Sequence, residues 1–364
     1  MTRRERMLAA VRHEPVDRVP FSTYNLYPDS PDHANDPSYA PLLDLVRRKA
    51  GVYCKCGLRG KDASLWPTTE ATERAADGHV VRTRVIPTPK GDLGSVSVQP
   101  PGQPAYTTEH FIKSDEDIER CLSLPLEPSQ YDASPAAAML HTVGEAGLVL
   151  VGFSDPMYTA AALFDFNDFA VRCVTDIAPV KRLIDWLFER IQDDTRRLLD
   201  ACEGLGVGFL TSGPELCTPP MMPPRLFGEL VTPYQKRLIG MIHGAGFFAG
   251  VHCHGRVRDV FDEIVKTGAD FLEPIEPPPQ GDIALADLRE KAEGRLCLVG
   301  HIQDQDLHRA PKGAMTKRVE EIARVVEGGT GYIMAPTCTP FLHPATDTYT
   351  RNYEEWIEAA DRLL

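Results

Sequence analysis

The sequence predicts an α/β protein, a (β/α)8 TIM barrel with a small antiparallel β insertion. After about residue 135, short apolar runs typical of buried strands alternate with longer amphipathic segments typical of helices. Six such strands follow residue 145, and one or two precede it, which is enough to close a barrel. The stretch from about residue 50 to 125 is different, because it is rich in Gly, Pro and Thr and contains segments in which apolar and polar residues alternate.

The elements are predicted in the following order. An amphipathic helix ends near His13, and a first strand follows at 19–23. The later strands are predicted at 148–153, 208–211, 247–252, 270–273, 296–300 and 332–335. The helices between them are predicted at 179–201, 224–244, 257–267, 284–292 and 317–327. An open doubly wound sheet is the competing arrangement, and the lack of a Gly-rich phosphate motif after the first strand disfavours its dinucleotide-binding form.

The insertion is predicted from a hairpin pattern. Residues 80–86 alternate as an exposed antiparallel strand does, and residues 95–98 suit its partner across the Pro- and Gly-containing turn at 87–92. We therefore predict one barrel domain over residues 1–364, with an inserted β-rich segment at about 55–110.

Composition excludes several classes of function. The chain is 43% hydrophobic and 25% charged, with a net charge of −13, which describes a soluble globular protein. No basic stripe suggests nucleic-acid binding, and no apolar run reaches the roughly 18–20 residues that a membrane helix needs. No secretory signal is apparent, and the nine Cys are irregularly spaced, so we expect a cytoplasmic protein.

The segment 251–255 reads Val-His-Cys-His-Gly and suggests a metal site. On a strand, His252 and His254 would point to the same side, and Cys338 follows another predicted strand. Two His and one Cys at strand ends predict a zinc site with one open position, although a His-x-His pair also arises by chance among eleven His. Cys253 could replace one His as ligand if the strand bulges there.

Three further polar residues follow predicted strands and are candidate catalytic residues. They are Glu215, Glu273 and His301. Strand carboxyl ends form the active face of such barrels, so these side chains should surround the metal as proton donors or substrate anchors. Glu215 or Glu273 could also be the fourth metal ligand, in place of water or substrate. By contrast, we expect Glu276 and Asp282 to be solvated.

Several segments together resemble the uroporphyrinogen decarboxylase superfamily, in particular its cobalamin-dependent methyltransferase branch. They span nearly the whole chain, and they are 4–10 with 13–20, 88–93, 112–117, 213–215 with 219–224, and 268–270. The resemblance implies a (β/α)8 barrel. The decarboxylase branch carries Arg-Gln-Ala-Gly-Arg-Tyr near its N-terminus, whereas residues 47–53 here read Arg-Arg-Lys-Ala-Gly-Val-Tyr.

The methyltransferase branch has a zinc site with a His-x-Cys pair and a distant Cys. This sequence has His252 at the first position, His254 where the family has Cys, and Cys338 at the third. The resemblance therefore implies a zinc-dependent enzyme that moves a methyl group between a small substrate (a methoxylated compound, a methylamine or a thiol) and a corrinoid. The corrinoid would be carried by a separate small corrinoid-binding protein, and the chain could form a homodimer.

Two alternatives remain open at this point. One is a decarboxylase-like enzyme that acts on a carboxylated substrate, and the other is a non-catalytic barrel that binds a ligand. Metal content distinguishes the methyltransferase from both alternatives.

Overall fold

The structure, a computed structural model, describes residues 1–58, 68–125 and 129–364. Its strands are β1 (Ser22–Tyr24), β2 (Gly51–Cys56), β3 (Thr69–Arg74), β4 (Val80–Ile86), β5 (Leu93–Gln99), β6 (Tyr106–Glu109), β7 (Gly147–Phe153), β8 (Gly208–Ser212), β9 (Ala249–His252), β10 (Phe271–Ile275), β11 (Cys297–Ile302) and β12 (Tyr332–Pro336).

The helices lie mainly between the strands of the second half of the chain. They are α1 (Arg3–Val11), α2 (Ala40–Lys49), α3 (Asp115–Leu122), α4 (Ser134–Val143), α5 (Pro156–Ala161), α6 (Phe166–Thr175), α7 (Ile177–Ala201), α8 (Pro224–Leu230), α9 (Thr232–Gly244), α10 (Phe261–Lys266), α11 (Leu285–Ala292), α12 (Asp304–Arg309), α13 (Ala314–Val326) and α14 (Asp347–Leu363). Among the described residues, no helix is both long enough and apolar enough to cross a membrane.

Eight parallel strands form the barrel, in the order β1, β2, β7, β8, β9, β10, β11 and β12. The ring closes where Phe21, just before β1, forms a parallel bridge to Met334 of β12. There the Met334 N–H donates to the Pro20 carbonyl at 3.0 Å. The prediction of a (β/α)8 barrel is therefore confirmed, with two strands before residue 145 and six after it.

The insertion is a four-stranded antiparallel sheet, β3 to β6. The predicted hairpin is present, since β4 and β5 pair antiparallel with Val81 opposite Val98. The barrel strand β2 extends to Cys56, so Lys55 and Cys56 belong to the barrel although the predicted insertion began at about residue 55. The part of that prediction at 59–67 lies outside the described residues.

The barrel interior is filled by side chains from alternate strand positions. One buried cluster lies inside the ring and includes Tyr53, Leu148, Leu150, Leu210, Phe271, Val299 and Ile333. The residues between them point outward into a second cluster against the helices. Gly250 leaves room for the Phe271 ring, because a Cβ on Gly250 would lie 2.2 Å from it.

Two element boundaries differ from the sequence prediction. The helix predicted at 224–244 is interrupted at Val231, and Pro233 lies in the first turn of the second helix, α9. Proline lacks the N–H that a continuous helix would need and clashes with the preceding turn. Strand β10 continues to Ile275, two residues beyond its predicted end at Glu273.

Candidate active site at the barrel mouth

Strand alternation directs four polar or aromatic side chains into the carboxyl end of the barrel. Tyr53 points inward and Cys54 outward, so Lys55 on the same strand points inward again. By the same alternation His252 of β9 and Glu273 of β10 face the interior. His252 and Glu273 are partners in the register of these neighbouring strands, which brings their side chains together.

Glu273 is a fully buried carboxylate that accepts hydrogen bonds from two side chains. The Tyr53 hydroxyl donates to Oε1 at 2.8 Å, and His252 Nδ1 lies 2.6 Å from Oε2. Burial alone would raise the pKa of Glu273, but the charges of His252 and Lys55 and these hydrogen bonds outweigh it and hold the pKa at about 2. An ionised Glu273 can only accept, so His252 donates to it through Nδ1, and Nε2 is the ring nitrogen that Glu273 does not engage.

His254 lies beside His252, but not on the strand. Strand β9 ends at His252, its predicted end, so the alternation of side chains along a strand does not set the direction of His254. The chain turns immediately afterwards, at Gly255, which has a φ of +85°. The two rings nevertheless lie close together, with centroids 4.7 Å apart and planes at 83°.

Glu276 is the partner of His254 and is not solvated as predicted. Its side chain is only 9% exposed, with Oε2 3.5 Å from His254 Nδ1. The Gly255 N–H donates to the same oxygen at 2.7 Å. Burial opposes protonation of His254, but the charge of Glu276 outweighs it and raises the pKa of His254. The longer β10 explains the error, since Glu276 follows the strand end directly.

Cys338 and Glu215 lie on loops that follow β12 and β8. Burial and the charge of Asp304 raise the pKa of the half-buried Cys338 to about 11, so it is a thiol at neutral pH. Glu215 belongs to a short 3-10 helix, Pro214–Cys217, and accepts from the Gly213 N–H at 3.1 Å. Its negative charge contributes to the raised pKa of His254, which places it at the same mouth.

His301 occupies a different environment from the imidazole pair. It is buried at a φ of +80°, an uncommon conformation for a residue other than glycine, and its Nδ1 has no hydrogen-bond partner within the described residues. Burial and the charge of Arg318 lower its pKa to about 4, so the ring is neutral near pH 7. This does not suit the proton-donor role predicted for it. Over the described ranges no hydrogen bond or ring contact joins it to His252, His254 or Cys338.

Comparison with known proteins gives the family. The sequence model of the family described as uroporphyrinogen decarboxylase (URO-D) matches residues 88–363. The chain belongs to the uroporphyrinogen decarboxylase family. The family prediction made from the sequence segments is thus confirmed. No curated protein matches the chain.

Solved structures similar to this chain include the following three. A methyltransferase from Methanosarcina mazei is similar with a TM-score of 0.60 and 16% identity, over 99% of this chain and 98% of that one. The YdhT protein from Bacillus subtilis has a TM-score of 0.40 and 11% identity, over 91% and 83% of the two chains. D-psicose 3-epimerase from Clostridium cellulolyticum H10 has a TM-score of 0.35 and 10% identity, over 68% and 91%.

The sequence prediction missed three residues at the mouth of this family member, namely Tyr24, Tyr53 and Lys55. Tyr24 stacks on Tyr53 with centroids 4.8 Å apart, and Lys55 Nζ lies 4.8 Å from the centre of the Tyr24 ring. Burial lowers the pKa of Lys55, although the charge of Glu273 offsets part of this effect. The period-two pattern of residues 51–56 could have identified Tyr53 and Lys55, but residue 55 was assigned to the insertion.

The donor types suit zinc, although the donors are not gathered into a metal site. Each imidazole has a carboxylate at Nδ1, an arrangement that orients metal-binding His and leaves Nε2 for the ion. Within residues 1–58, 68–125 and 129–364, however, no three His, Cys, Asp or Glu side chains are grouped closely enough to hold a metal. Binding of zinc by His252, His254 and Cys338 would therefore require a rearrangement of these side chains.

Proposed function

We propose that this protein is a zinc-dependent methyltransferase that moves a methyl group between a small substrate and a corrinoid. The observation that carries the proposal is the pair of adjacent imidazoles at the barrel mouth, each with its own carboxylate at Nδ1. Membership of the family and the whole-length fold similarity to a methyltransferase support it. The substrate would be a methoxylated compound, a methylamine or a thiol.

In this proposal His252, His254 and Cys338 hold the zinc. When bound, zinc would lower the pKa of a coordinated thiol or polarise the oxygen of a methoxy group. Both oxygens of Glu273 already accept hydrogen bonds, so Glu215 is the better protein candidate for the fourth position, beside water or substrate.

The remaining residues of the mouth orient groups or hold protons. Glu273 fixes the tautomer of His252 through the bond at Nδ1, and Glu276 positions His254 in the same way. Glu215 receives one backbone hydrogen bond, so its carboxylate can also accept a proton or a hydrogen bond from substrate. His301, being neutral, is proposed only as a hydrogen-bonding group for substrate.

A separate small corrinoid-binding protein is the proposed partner, and it would cover the barrel mouth. Four large apolar side chains are exposed on segments that follow β7, β8 and β12, the same edge of the barrel as the imidazoles. They are Tyr158, Met221, Phe341 and Leu342. Exposed apolar groups around a functional cleft suit contact with another protein.

Zinc content tests the metal part of the proposal. Wild-type protein purified without chelator and supplemented with zinc should contain about one zinc per chain, and His252→Ala and Cys338→Ser should each retain less than about a tenth of that. His243→Ala is the matched control, since His243 is an exposed imidazole that pairs with Asp270 away from the mouth. Equal zinc contents in all four proteins would reject the assignment of ligands.

Methyl transfer tests the reaction. The absorption spectrum of cob(I)alamin should change when the protein is mixed with a methyl donor from a panel of methoxylated compounds, methylamines and methyl thioethers. His252→Ala should abolish the change, because it removes a ligand. Release of carbon dioxide from a carboxylated substrate, with no metal-dependent spectral change, would favour the decarboxylase alternative instead.

A further inference from the structure

We propose a second ligand site at the amino end of the barrel, where Arg289 and His13 bind a small oxyanion, namely a phosphoryl group. Arg289 supplies the positive charge of the site, and His13 supplies a further ring nitrogen. The site lies at the opposite end of the barrel from the imidazole pair, and it does not rest on the proposed methyl transfer.

A cavity of about 240 Å³ marks this site. It lies beside the loop 328–331, which joins α13 to β12, and therefore at the end of the barrel where the strands begin. Arg289 of α11 and His13, which follows α1, also line the cavity. The volume has room for a small oxyanion and several water molecules, each of which takes about 30 Å³ in the liquid.

Arg289 is a cation without a counter-charge. Its Nη1 is buried and has no hydrogen-bond partner within the described residues. Burial lowers the pKa of Arg289, and the groups that partly offset this effect are Tyr332 and Cys297 rather than a carboxylate. A guanidinium stays protonated in proteins, so its buried N–H is costly until an acceptor is supplied. An oxyanion in the cavity would supply both an acceptor and the opposite charge.

Two glycines of the loop make room for these side chains. A Cβ on Gly329 would lie 1.8 Å from Nη2 of Arg289, and a Cβ on Gly331 would lie 2.4 Å from Nδ1 of His13. Arg289 and His13 therefore pack directly against the backbone of the loop. This close packing brings two nitrogen-bearing side chains, from segments distant in sequence, to the wall of one cavity.

His13 has an unpartnered nitrogen of its own. Its Nε2 is buried and pairs with no atom of the described ranges. Its backbone has a φ of +56°, at a position after a helix where glycine is usual. Burial lowers the pKa of His13 against the charge of Asp270, so the ring is neutral near pH 7 and one of its nitrogens can donate. A ligand oxygen in the cavity would accept from it.

Two carboxylates near the site limit its affinity for an anion. Asp270 acts on His13, but its Oδ2 already pairs with His243 Nε2 at 2.9 Å and accepts from the Ala249 N–H at 2.7 Å. Glu293 lines the cavity and is exposed, so its carboxylate remains in water. We therefore expect binding in the millimolar range, and only for a compact anion.

Phosphate binding tests the inference. We would titrate the full chain into inorganic phosphate and, separately, into glycerol 3-phosphate, at constant ionic strength and with a chelator present, and follow the ³¹P NMR line width. Wild-type protein should give saturable broadening with at least one of the two. Arg289→Gln should weaken binding about 10-fold or more, the loss expected for one hydrogen bond to a charged group. The tighter of the two ligands shows whether the site takes the free ion or a phosphomonoester.

Gly329→Ala is a second, independent variant. The three atoms nearest to its new Cβ would all belong to the Arg289 guanidinium, the end of a flexible side chain, so it should displace Arg289 while the protein stays folded. It should therefore also weaken binding. Arg295→Gln is the matched control, since Arg295 is an exposed arginine just after the same helix and donates to the Lys291 carbonyl. It should bind as wild type does.

The inference is overturned if wild-type protein shows no saturable binding of either ligand. It is equally overturned if Arg289→Gln and Gly329→Ala bind as wild type does, or if Arg295→Gln weakens binding as much as they do. If Arg289→Gln does not fold, as judged by circular dichroism, Gly329→Ala decides. The titrations need no zinc, corrinoid or methyl donor, so this inference and the proposed function can fail separately.

Discussion

The hydrogen bonding of each residue at the barrel mouth depends on its neighbours on adjacent strands. His252 and Glu273 are register partners, and this pairing sets the tautomer of the imidazole before any ligand is present. Sequence spacing could predict that His252 and Glu273 lie at strand ends. It could not predict that both carboxylate oxygens of Glu273 pair with Tyr53 and His252. That pairing depends on the relative register of strands that are distant in sequence.

Asp155 illustrates how one buried carboxylate affects stability. It is fully buried and caps α5 by accepting from the Tyr158 N–H at 2.7 Å, while Gln235 Nε2 donates to its other oxygen at 2.8 Å. Burial outweighs these bonds and raises the pKa of Asp155 to about 6. The folded state therefore holds this proton more tightly than the unfolded state does. Protonated Asp155 therefore contributes to the free energy of unfolding. This contribution is fully present below about pH 4 and is lost as the pH rises through about 6.

We predict that Asp155→Asn is more stable than wild type at pH 8, by about 1–3 kcal/mol, and nearly equal to it at pH 4. The uncharged amide removes the cost of burying a carboxylate. Gln235 Oε1 is buried without a partner, so rotation of the Gln235 amide lets it accept from the new Asn. Urea unfolding at both pH values measures this. Asp165→Asn, at the exposed cap of α6, is the control. An Asp155→Asn effect that does not change with pH would contradict the argument.

The elements of the fold were largely predictable, and their ends were not. Six strands after residue 145 were predicted from apolar runs, because buried parallel strands are continuously apolar. Strand β9 begins two residues later than predicted and ends at His252 as predicted, whereas β10 continues two residues beyond its predicted end, which brings Glu276 into the site. A strand end depends on hydrogen bonds to its neighbours, which a single segment does not reveal.

Strand β7 offers a test of barrel packing with an internal control. It contains Gly147, where a Cβ would lie 1.7 Å from the Val52 carbonyl oxygen, and Gly152, where a Cβ would meet nothing within 4 Å. Gly147→Ala should destabilise the protein by about 1–3 kcal/mol or more, since the pairing of β2 and β7 must shift. Gly152→Ala should change stability by about 0.5 kcal/mol or less. Urea unfolding compares the two, and equal effects would contradict this account.

At the scale of the whole molecule, the structure has two regions of different burial. The barrel strands lie between an inner and an outer apolar cluster, whereas β3 and β6 of the insertion are exposed along their whole length. The sequence predicted this contrast from the switch between apolar runs and period-two patterning. The sequence prediction did not place Lys55 at the mouth, because Lys55 lies at the junction between the two regions.

We predict that amide hydrogens of β3 to β6 exchange with solvent through local opening, at a lower free energy than those of β8 to β11. Few buried side chains would have to separate when the insertion opens, whereas opening the barrel exposes its core. Native-state hydrogen exchange followed by mass spectrometry measures both sets in one experiment. Equal protection of the two sets would show that the insertion and barrel open as one unit.

The filled interior of the barrel also has a kinetic consequence. Leu148, Leu210, Phe271 and Ile333 occupy the axis, so a small molecule that reaches the imidazoles cannot leave through the opposite end. A second protein seated on the mouth would then close the route by which that molecule arrived. Steady-state kinetics should follow a compulsory order, in which the small substrate binds first and departs only after the larger partner has dissociated.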